Sequence, residues 1–241
     1  MLQCFYAAMS TTTKPPPLAE IESYPLDVPE PAIATLKAIA DITQARHLCI
    51  GGGFLRGLFM RQVLNLDPEM NDIDIFLNVS TGDLLANRHK LEAVFGHPIR
   101  FHIGQFDTER NKRGLIEFAI PDALKHHFGG VDSIQLNFGQ DHPWAKVDDF
   151  VRTANLGINQ IAMDINGHVL LSALFKRDME NKTITMNSNR NWTLHDWERS
   201  TKSMEKMRKD RPEFFGWRAF PIDKPYRRTS GSFWKTPALK L

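Results

Sequence analysis

The chain has 241 residues, of which 42% are hydrophobic and 24% are charged, the proportions of an ordinary soluble protein. Its length suits one medium domain with an appendage. The two cysteines, Cys4 and Cys49, exclude a disulfide framework, and no spacing of Cys and His is typical of a zinc site. No apolar run is long enough to span a bilayer, and Met1–Ser10 lacks the features of a signal peptide. We therefore expect a cytoplasmic protein without a membrane partner.

Charge is distributed unevenly along the chain. The formal net charge is +2, yet from Lys202 onward Lys and Arg outnumber Asp and Glu by eleven to four. A basic C-terminal end is suited to a polyanionic partner, although charged tails are more often simply solvated.

Hydrophobic periodicity predicts helices and strands that interleave irregularly. This order favours an α/β or α+β domain with a mixed sheet flanked by helices, plus a short helical neck. The expected divisions are a mobile N-terminal segment 1–26, a main domain 27–185, a helical neck 186–212 and a basic mobile tail 213–241. The predicted helices begin near residue 31 and cover 54–63, 81–95, 156–164 and 194–209, and the predicted strands cover 47–50, 72–77, 99–103, 115–120, 134–138 and 168–171.

A glycine turn joins the first predicted strand to the second helix. Gly52 and Gly53 allow the backbone to approach a ligand closely, and the first turn of the helix offers free N–H groups and a positive dipole end. Arg56, one turn into the helix, adds a positive charge. The turn is therefore a candidate triphosphate seat, or alternatively only a tight turn.

A pair of aspartates begins the next predicted strand. Alternation places Asp72 and Asp74 on one face, with Ile73 packing on the other. Adjacent carboxylates repel each other unless a cation lies between them, and hard cations prefer oxygen ligands. We expect two Mg²⁺ ions here, with Mn²⁺ as an alternative. The competing interpretation is a solvated strand edge.

The two motifs occur in a recognisable order. Gly52-Gly53-x-x-Arg56 followed by Asp72-x-Asp74 resembles the DNA polymerase β-like nucleotidyltransferase superfamily, and within it the head domain of bacterial poly(A) polymerases and CCA-adding enzymes. The resemblance implies a nucleotidyltransferase head at 27–185. It also implies that Asp72 and Asp74 are catalytic and bind metal, and that the glycines and Arg56 bind the triphosphate.

Two weaker blocks extend the resemblance. The segment from Asn155 through Asn159 is similar to the family segment that lines the ribose, which implies that both asparagines face the nucleotide. The stretch that contains Asp196 and Arg199 is similar to the helix start with which CCA-adding enzymes read the incoming base. Thr193-x-x-Asp196 is also a capping-box pattern, so Asp196 has a purely structural alternative.

Several positions depart from the family pattern. Thr153-Ala154-Asn155 stands where the family has Arg-Arg-Asp, which removes two cations and one carboxylate. Gly57 replaces an acidic residue. No third catalytic carboxylate is evident: Gln135 occupies one candidate position, and Glu117 is expected to be an ordinary exposed strand residue.

The resemblance implies transfer of a nucleoside monophosphate from a nucleoside triphosphate such as ATP to an acceptor hydroxyl, with release of pyrophosphate. An RNA 3′ end, with tRNA first, is the expected acceptor. We expect no room after Lys209 for the domains with which complete CCA-adding enzymes grip tRNA. Two alternatives remain: a toxin-like or antibiotic-modifying enzyme that acts on a protein, a small molecule or a tRNA that it inactivates, and a non-catalytic nucleotide- or RNA-binding module.

Overall fold

The computed structural model describes residues 20–96, 114–139 and 146–225, and the backbone of 100–102. The described chain alternates between strands and helices. The strands are β1 (Ile21–Tyr24), β2 (Leu48–Gly51), β3 (Asp72–Leu77), β4 (Arg100–His102), β5 (Gly114–Ala119), β6 (Ser133–Phe138), β7 (Ile161–Met163), β8 (Val169–Ser172), β9 (Thr183–Thr185) and β10 (Arg218–Phe220). The helices are α1 (Glu30–Thr43), α2 (Gly53–Leu64), α3 (Thr81–Ala86), α4 (Arg88–Phe95), α5 (Asp122–Lys125), α6 (Val147–Thr153), α7 (Ala173–Asn181) and α8 (Leu194–Asp210).

Eight of these strands form one mixed sheet in the order β1-β8-β7-β2-β3-β6-β5-β4. Strands β3 and β6 run parallel, and the other neighbours are antiparallel. Strands β9 and β10 pair in parallel as a separate two-stranded sheet. The predicted α/β class with a mixed sheet flanked by helices is confirmed.

The two faces of the sheet are covered unequally. The main apolar core includes Leu36 of α1, Leu55 of α2 and Ile73 of β3. The opposite face carries a small cluster around Cys49 and Val151, beneath the short helix α6. Along β3 buried and half-buried residues alternate, so both aspartates lie on this second face. The predicted strand 72–77 and its polar face are therefore confirmed.

Two predicted helices differ from the structure. The helix expected at 81–95 is divided at Asn87, the C-cap of α3 and the N-cap of α4. The helix expected at 156–164 is wrong, because a single 3₁₀ turn at Gly157–Asn159 leads directly into β7. Strand β7 is buried throughout and pairs with β2 and β8, so its apolar run has no alternation to distinguish it from a helix.

Both predicted mobile segments include ordered residues. Strand β1 pairs with β8 at the sheet edge, although it falls within the segment 1–26. Phe214, Trp217 and Ile222 are buried, and β10 pairs with β9, so the tail expected from 213 is ordered through this strand. Apolar burial explains both differences, since these residues pack against the domain. Residues 1–19 and 226–241 lie outside the described residues, for which the expectation stays a prediction.

None of the helices in the described ranges is both long and apolar enough to cross a membrane.

Candidate functional site

The glycine turn lies against the aspartate pair. Gly51, the last residue of β2, pairs with Asp74 of β3. Gly52 follows with a φ of +75°, which favours glycine, and is the N-cap of α2. A Cβ atom on Gly52 would lie 3.6 Å from Oδ2 of Asp74. Because Gly52 has no side chain to cap the helix, the N–H groups of the first turn of α2 are open to an anion beside Asp74.

Asp74 is held by a neighbouring strand. Nδ2 of Asn137 on β6 donates a hydrogen bond of 2.9 Å to its Oδ1. The pKa of Asp74 is raised to about 6, chiefly by burial and then by the negative charge of Asp72, while Asn137 and Arg56 act to lower it. The pKa of Asp72 is also raised, chiefly by burial, with Glu117 acting in the same direction and Arg211 in the opposite one. Burial therefore disfavours the ionised form of both carboxylates, and for Asp74 the charge of Asp72 adds to this effect.

The chemistry of this pair fits a divalent cation. Two carboxylates on one strand face offer hard oxygen donors, and a cation between them would offset their mutual repulsion. No cluster of three or more His, Cys, Asp or Glu suited to a metal occurs in the described part of the chain. Mg²⁺ is commonly held by one or two carboxylates together with substrate phosphates and water, so two aspartates are a sufficient protein contribution.

Arg56 is buried beside this pair, with 6% of the residue exposed. Its Nη1 donates a 2.7 Å hydrogen bond to Oδ1 of Asn159, and its guanidinium carbon lies 5.3 Å from the centre of the Phe214 ring. Burial lowers the pKa of Arg56 to about 10, with the charge of Arg211 as the second cause. Arg56 therefore remains charged at neutral pH in a fixed orientation.

Asn155 and Asn159 belong to a polar chain that begins at Arg56. Nδ2 of Asn159 donates to Oδ1 of Asn155 over 3.3 Å, and Nδ2 of Asn155 donates to Oγ of Ser200 on α8 over 2.8 Å. The structure thus brings both asparagines next to the candidate triphosphate seat. It also shows that they connect Arg56 to α8, a link that the sequence does not reveal.

Glu117 lies on the same sheet face as the aspartates, which differs from the exposed position expected of it. On adjacent strands, Glu117 pairs with Gln135, and Gln135 pairs with Asp74. The Glu117 carboxylate accepts hydrogen bonds from Oγ of Ser133 at 3.1 Å and from Nε2 of Gln135 at 3.5 Å. These contacts keep Glu117 half-buried at the edge of the site, as a third negative charge near Asp72.

Asp196 and Arg199 lie near the start of α8, separated from the glycine turn by the asparagine chain. Oγ1 of Thr193 accepts a hydrogen bond from the Asp196 backbone N–H, which shows that Thr193 is the N-cap residue of α8. The Asp196 carboxylate lies 3.6 Å from Nη2 of Arg190, and Arg199 is exposed. Nη1 of Arg190 donates to the Thr153 carbonyl at 2.6 Å.

Sequence reasoning missed Arg211, which follows α8. Its charge lowers the pKa of Asp72 and is the second cause of the lowered pKa of Arg56, so Arg211 lies near both groups. The position is nearly 140 residues from Asp72 along the chain, and its side chain reaches the loop before β3 through the Glu69 carbonyl. No sequence motif signals this approach.

Comparison with solved structures gives partial likenesses. A tRNA-processing enzyme in an apo form is 16% identical, with 81% of this chain and 45% of that chain covered and a TM-score of 0.48. The CCA-adding enzyme of Bacillus stearothermophilus in complex with CTP is 11% identical, and the match covers 79% of this chain and 40% of that enzyme, with a TM-score of 0.48. The CCA-adding enzyme of Thermotoga maritima complexed with tRNA is 15% identical, and the match covers 73% of this chain and 35% of that enzyme, with a TM-score of 0.45.

The chain spans less than half the length of each of these three enzymes. No protein-family model matches the chain, and no curated protein matches it.

Proposed function

We propose that this protein is a metal-dependent nucleotidyltransferase that transfers a nucleoside monophosphate from a nucleoside triphosphate to an acceptor hydroxyl. One observation carries the proposal. A carboxylate pair suited to divalent cations lies directly against a glycine-capped helix N-terminus suited to a phosphate, with Gly52 next to Asp74. Each feature alone has a structural explanation. Their contact unites a cation site with an anion site, as a metal–triphosphate complex requires.

Each residue has a role in the proposed reaction. The first turn of α2 and the charge of Arg56 bind and orient the triphosphate. Asp72 and Asp74 hold the cations, and the one nearer the acceptor also accepts its hydroxyl proton. The oxygen of that hydroxyl forms a bond to the α-phosphorus, the bond from the α-phosphorus to the bridging oxygen breaks, and pyrophosphate leaves. Bound Mg²⁺ supplies Lewis-acid stabilisation of the charge that develops on the phosphate oxygens.

Asn159 and Asn155 have a positioning role in this proposal. Asn159 fixes the Arg56 guanidinium, and Asn155 connects it to Ser200 of α8. Both asparagines are also proposed to contact the ribose, as the motif resemblance implies. Through this chain, helix α8 with Asp196 and Arg199 is linked to the triphosphate seat.

An RNA 3′ end is the proposed acceptor, with tRNA first. The support is the order of the glycine, aspartate and asparagine motifs, which resembles that of RNA-modifying nucleotidyltransferases. The basic residues after Lys202 supply positive charge suited to an RNA backbone.

The test is incubation of the protein with each of the four α-labelled nucleoside triphosphates, Mg²⁺ and total RNA. Label in RNA supports the proposal in full. Label in protein or in a small molecule supports nucleotidyl transfer but assigns a different acceptor. The absence of label from every fraction, together with measurable triphosphate binding, would support a non-catalytic binding module instead.

A matched pair of variants controls the assay. Asp74→Asn removes one charge from the candidate site, while Asp41→Asn removes one charge from the exposed side of α1. Transfer that both variants retain would come from a contaminating enzyme or from another site.

A further inference from the structure

The turn after α8 carries a second guanidinium group to the candidate site. Helix α8 ends at Asp210, and a 3₁₀ turn follows at Pro212–Phe214. Phe214 is fully buried beneath the Arg56 guanidinium. Nη1 of Arg211, just before this turn, lies 3.2 Å from the Glu69 carbonyl oxygen in the loop that precedes β3. The turn therefore fixes the Arg211 backbone between Arg56 and the start of β3.

Arg211 and Arg56 both lie near the end of β3 that carries Asp72. Burial is the first cause of the lowered pKa of Arg56 and the charge of Arg211 is the second, while Glu213, Asp74 and Asp72 act in the opposite direction. Arg211 therefore places a second guanidinium group beside the candidate cation site, next to Arg56.

Arg211 is held more loosely than Arg56. Apart from the Glu69 carbonyl, its described contact is with the Glu213 carboxylate at 3.7 Å, and 35% of its side chain is exposed. The contact distance is longer than that of a hydrogen-bonded ion pair, so the Arg211 guanidinium keeps N–H donors available for a second anion. A phosphate offers such an anion, since guanidinium binds phosphate through two parallel hydrogen bonds.

We propose that Arg211 is a triphosphate-binding residue that acts with Arg56 on the phosphates of the incoming nucleotide. This inference rests on the proposed function. It assigns to the segment after α8 a direct part in substrate binding, and it makes triphosphate affinity depend on the folding of this segment against the domain.

The proposal predicts opposite effects on two ligands. Removing the Arg211 charge removes one of the groups that bind the triphosphate. It also removes a positive charge that repels a cation at Asp72 and Asp74. Loss of a charged hydrogen bond of this kind weakens binding by about tenfold to a hundredfold. A variant that merely loosens the local structure would weaken the binding of both ligands.

The experiment measures two binding affinities of the full chain by titration calorimetry. One is the affinity for Mn²⁺ alone, and the other is the affinity for inorganic tripolyphosphate in the presence of Mg²⁺. Arg211→Ala is compared with Arg208→Ala, which removes the same charge from an exposed position of α8. Arg211→Lys keeps the charge but not the two parallel donors, and melting curves show that each variant is folded. We expect Arg211→Ala to lose at least about tenfold in tripolyphosphate affinity, with Mn²⁺ affinity equal or higher. Arg208→Ala should match the wild type, and Arg211→Lys should be intermediate.

Equal tripolyphosphate affinity in Arg211→Ala and wild type would overturn the inference, as would an equal loss in Arg208→Ala or a parallel loss of Mn²⁺ binding. Nucleotidyl transfer is measured on the same samples. Transfer that does not depend on Arg211 leaves the proposed function in place without the inference. Binding of tripolyphosphate that depends on Arg211, without transfer by the wild type, supports the inference and contradicts the proposed function.

Discussion

Asn137 donates a 2.9 Å hydrogen bond to Asp74, yet the pKa of Asp74 is raised to about 6. The bond stabilises the ionised carboxylate, while burial and the charge of Asp72 destabilise it more strongly. The strand pair β3–β6 therefore keeps this aspartate in one orientation while its environment still favours a cation.

The raised pKa of Asp74 predicts that Asp74→Asn stabilises the metal-free protein at neutral pH. At a pH between the usual pKa of 3.8 and the raised pKa of about 6, Asp74 keeps a proton in the folded protein that it releases in the unfolded chain. This contribution to stability is complete below the lower value and is lost as the pH rises through the upper one. We expect the neutral variant to gain on the order of 1–3 kcal/mol over wild type at neutral pH, and much less in acid. Urea unfolding with a chelator at both pH values measures this, and a gain independent of pH would contradict the titration of Asp74.

Asn159→Ala should weaken nucleoside triphosphate binding. The buried Arg56 guanidinium loses its 2.7 Å partner and with it a fixed orientation. We expect the KM for the triphosphate to rise roughly tenfold, with a smaller change in kcat. Ser200→Ala is the control, because it removes only the hydrogen bond from Asn155 to Ser200, at the end of the hydrogen-bond chain that is distant from Arg56. If kcat falls in Asn159→Ala while KM stays constant, Asn159 does not act through substrate binding.

The base-reading role of Asp196 and Arg199 predicts a change in nucleotide choice. Arg199→Ala should reduce discrimination among the four nucleotides by about 1–3 kcal/mol without affecting metal binding. The weak ion pair of Asp196 with Arg190, at 3.6 Å, is no obstacle to a base that offers shorter hydrogen bonds. A four-nucleotide competition assay, run beside a melting curve for each variant, measures both properties. Unchanged preference in Asp196→Ala and Arg199→Ala would mean that any base selection is made by other residues.

A chain that ends at Pro225 should fold normally and bind RNA less tightly. Truncation near Pro212 would instead remove the buried side chains of Phe214 and Trp217 and unfold part of the core. Residues 226–241 contain four basic and no acidic side chains. If they contact RNA, their removal should reduce the salt dependence of binding. The slope of the logarithm of the binding constant against the logarithm of the salt concentration should become smaller in magnitude by up to roughly three. A filter-binding titration over a series of salt concentrations measures this slope, and an unchanged slope would show that these residues are not part of the RNA contact.

Local sequence signals predicted the elements that form the centre of the site. Alternation in Asp72–Leu77 predicts β3 with both aspartates on its polar face, as observed. The glycine turn predicts α2 within one residue at each end, and the apolar spacing with the Thr193 cap predicts α8. These predictions succeed because period and capping are properties of a few neighbouring residues.

Long-range pairing accounts for what the sequence did not predict. Alternation of Ile116 with Phe118 places Glu117 on a polar face, but only the order β3-β6-β5 shows that this is the face of the aspartates. Arg211 reaches the site because Phe214 is buried beneath Arg56, which depends on how the chain returns after α8. Tertiary packing of this kind leaves no local pattern in the sequence.

The most direct test of the nucleotidyltransferase account is transfer of α-labelled nucleotide by wild type, Asp72→Asn and Asp74→Asn in Mg²⁺, with Asp41→Asn as the matched surface control. We expect either site variant to lose more than about a hundredfold in rate while remaining folded, since each removes a charge that holds the catalytic cation. Asp41→Asn should keep the wild-type rate. Full activity in both site variants would contradict the central claim that the carboxylate pair beside the glycine turn performs the reaction.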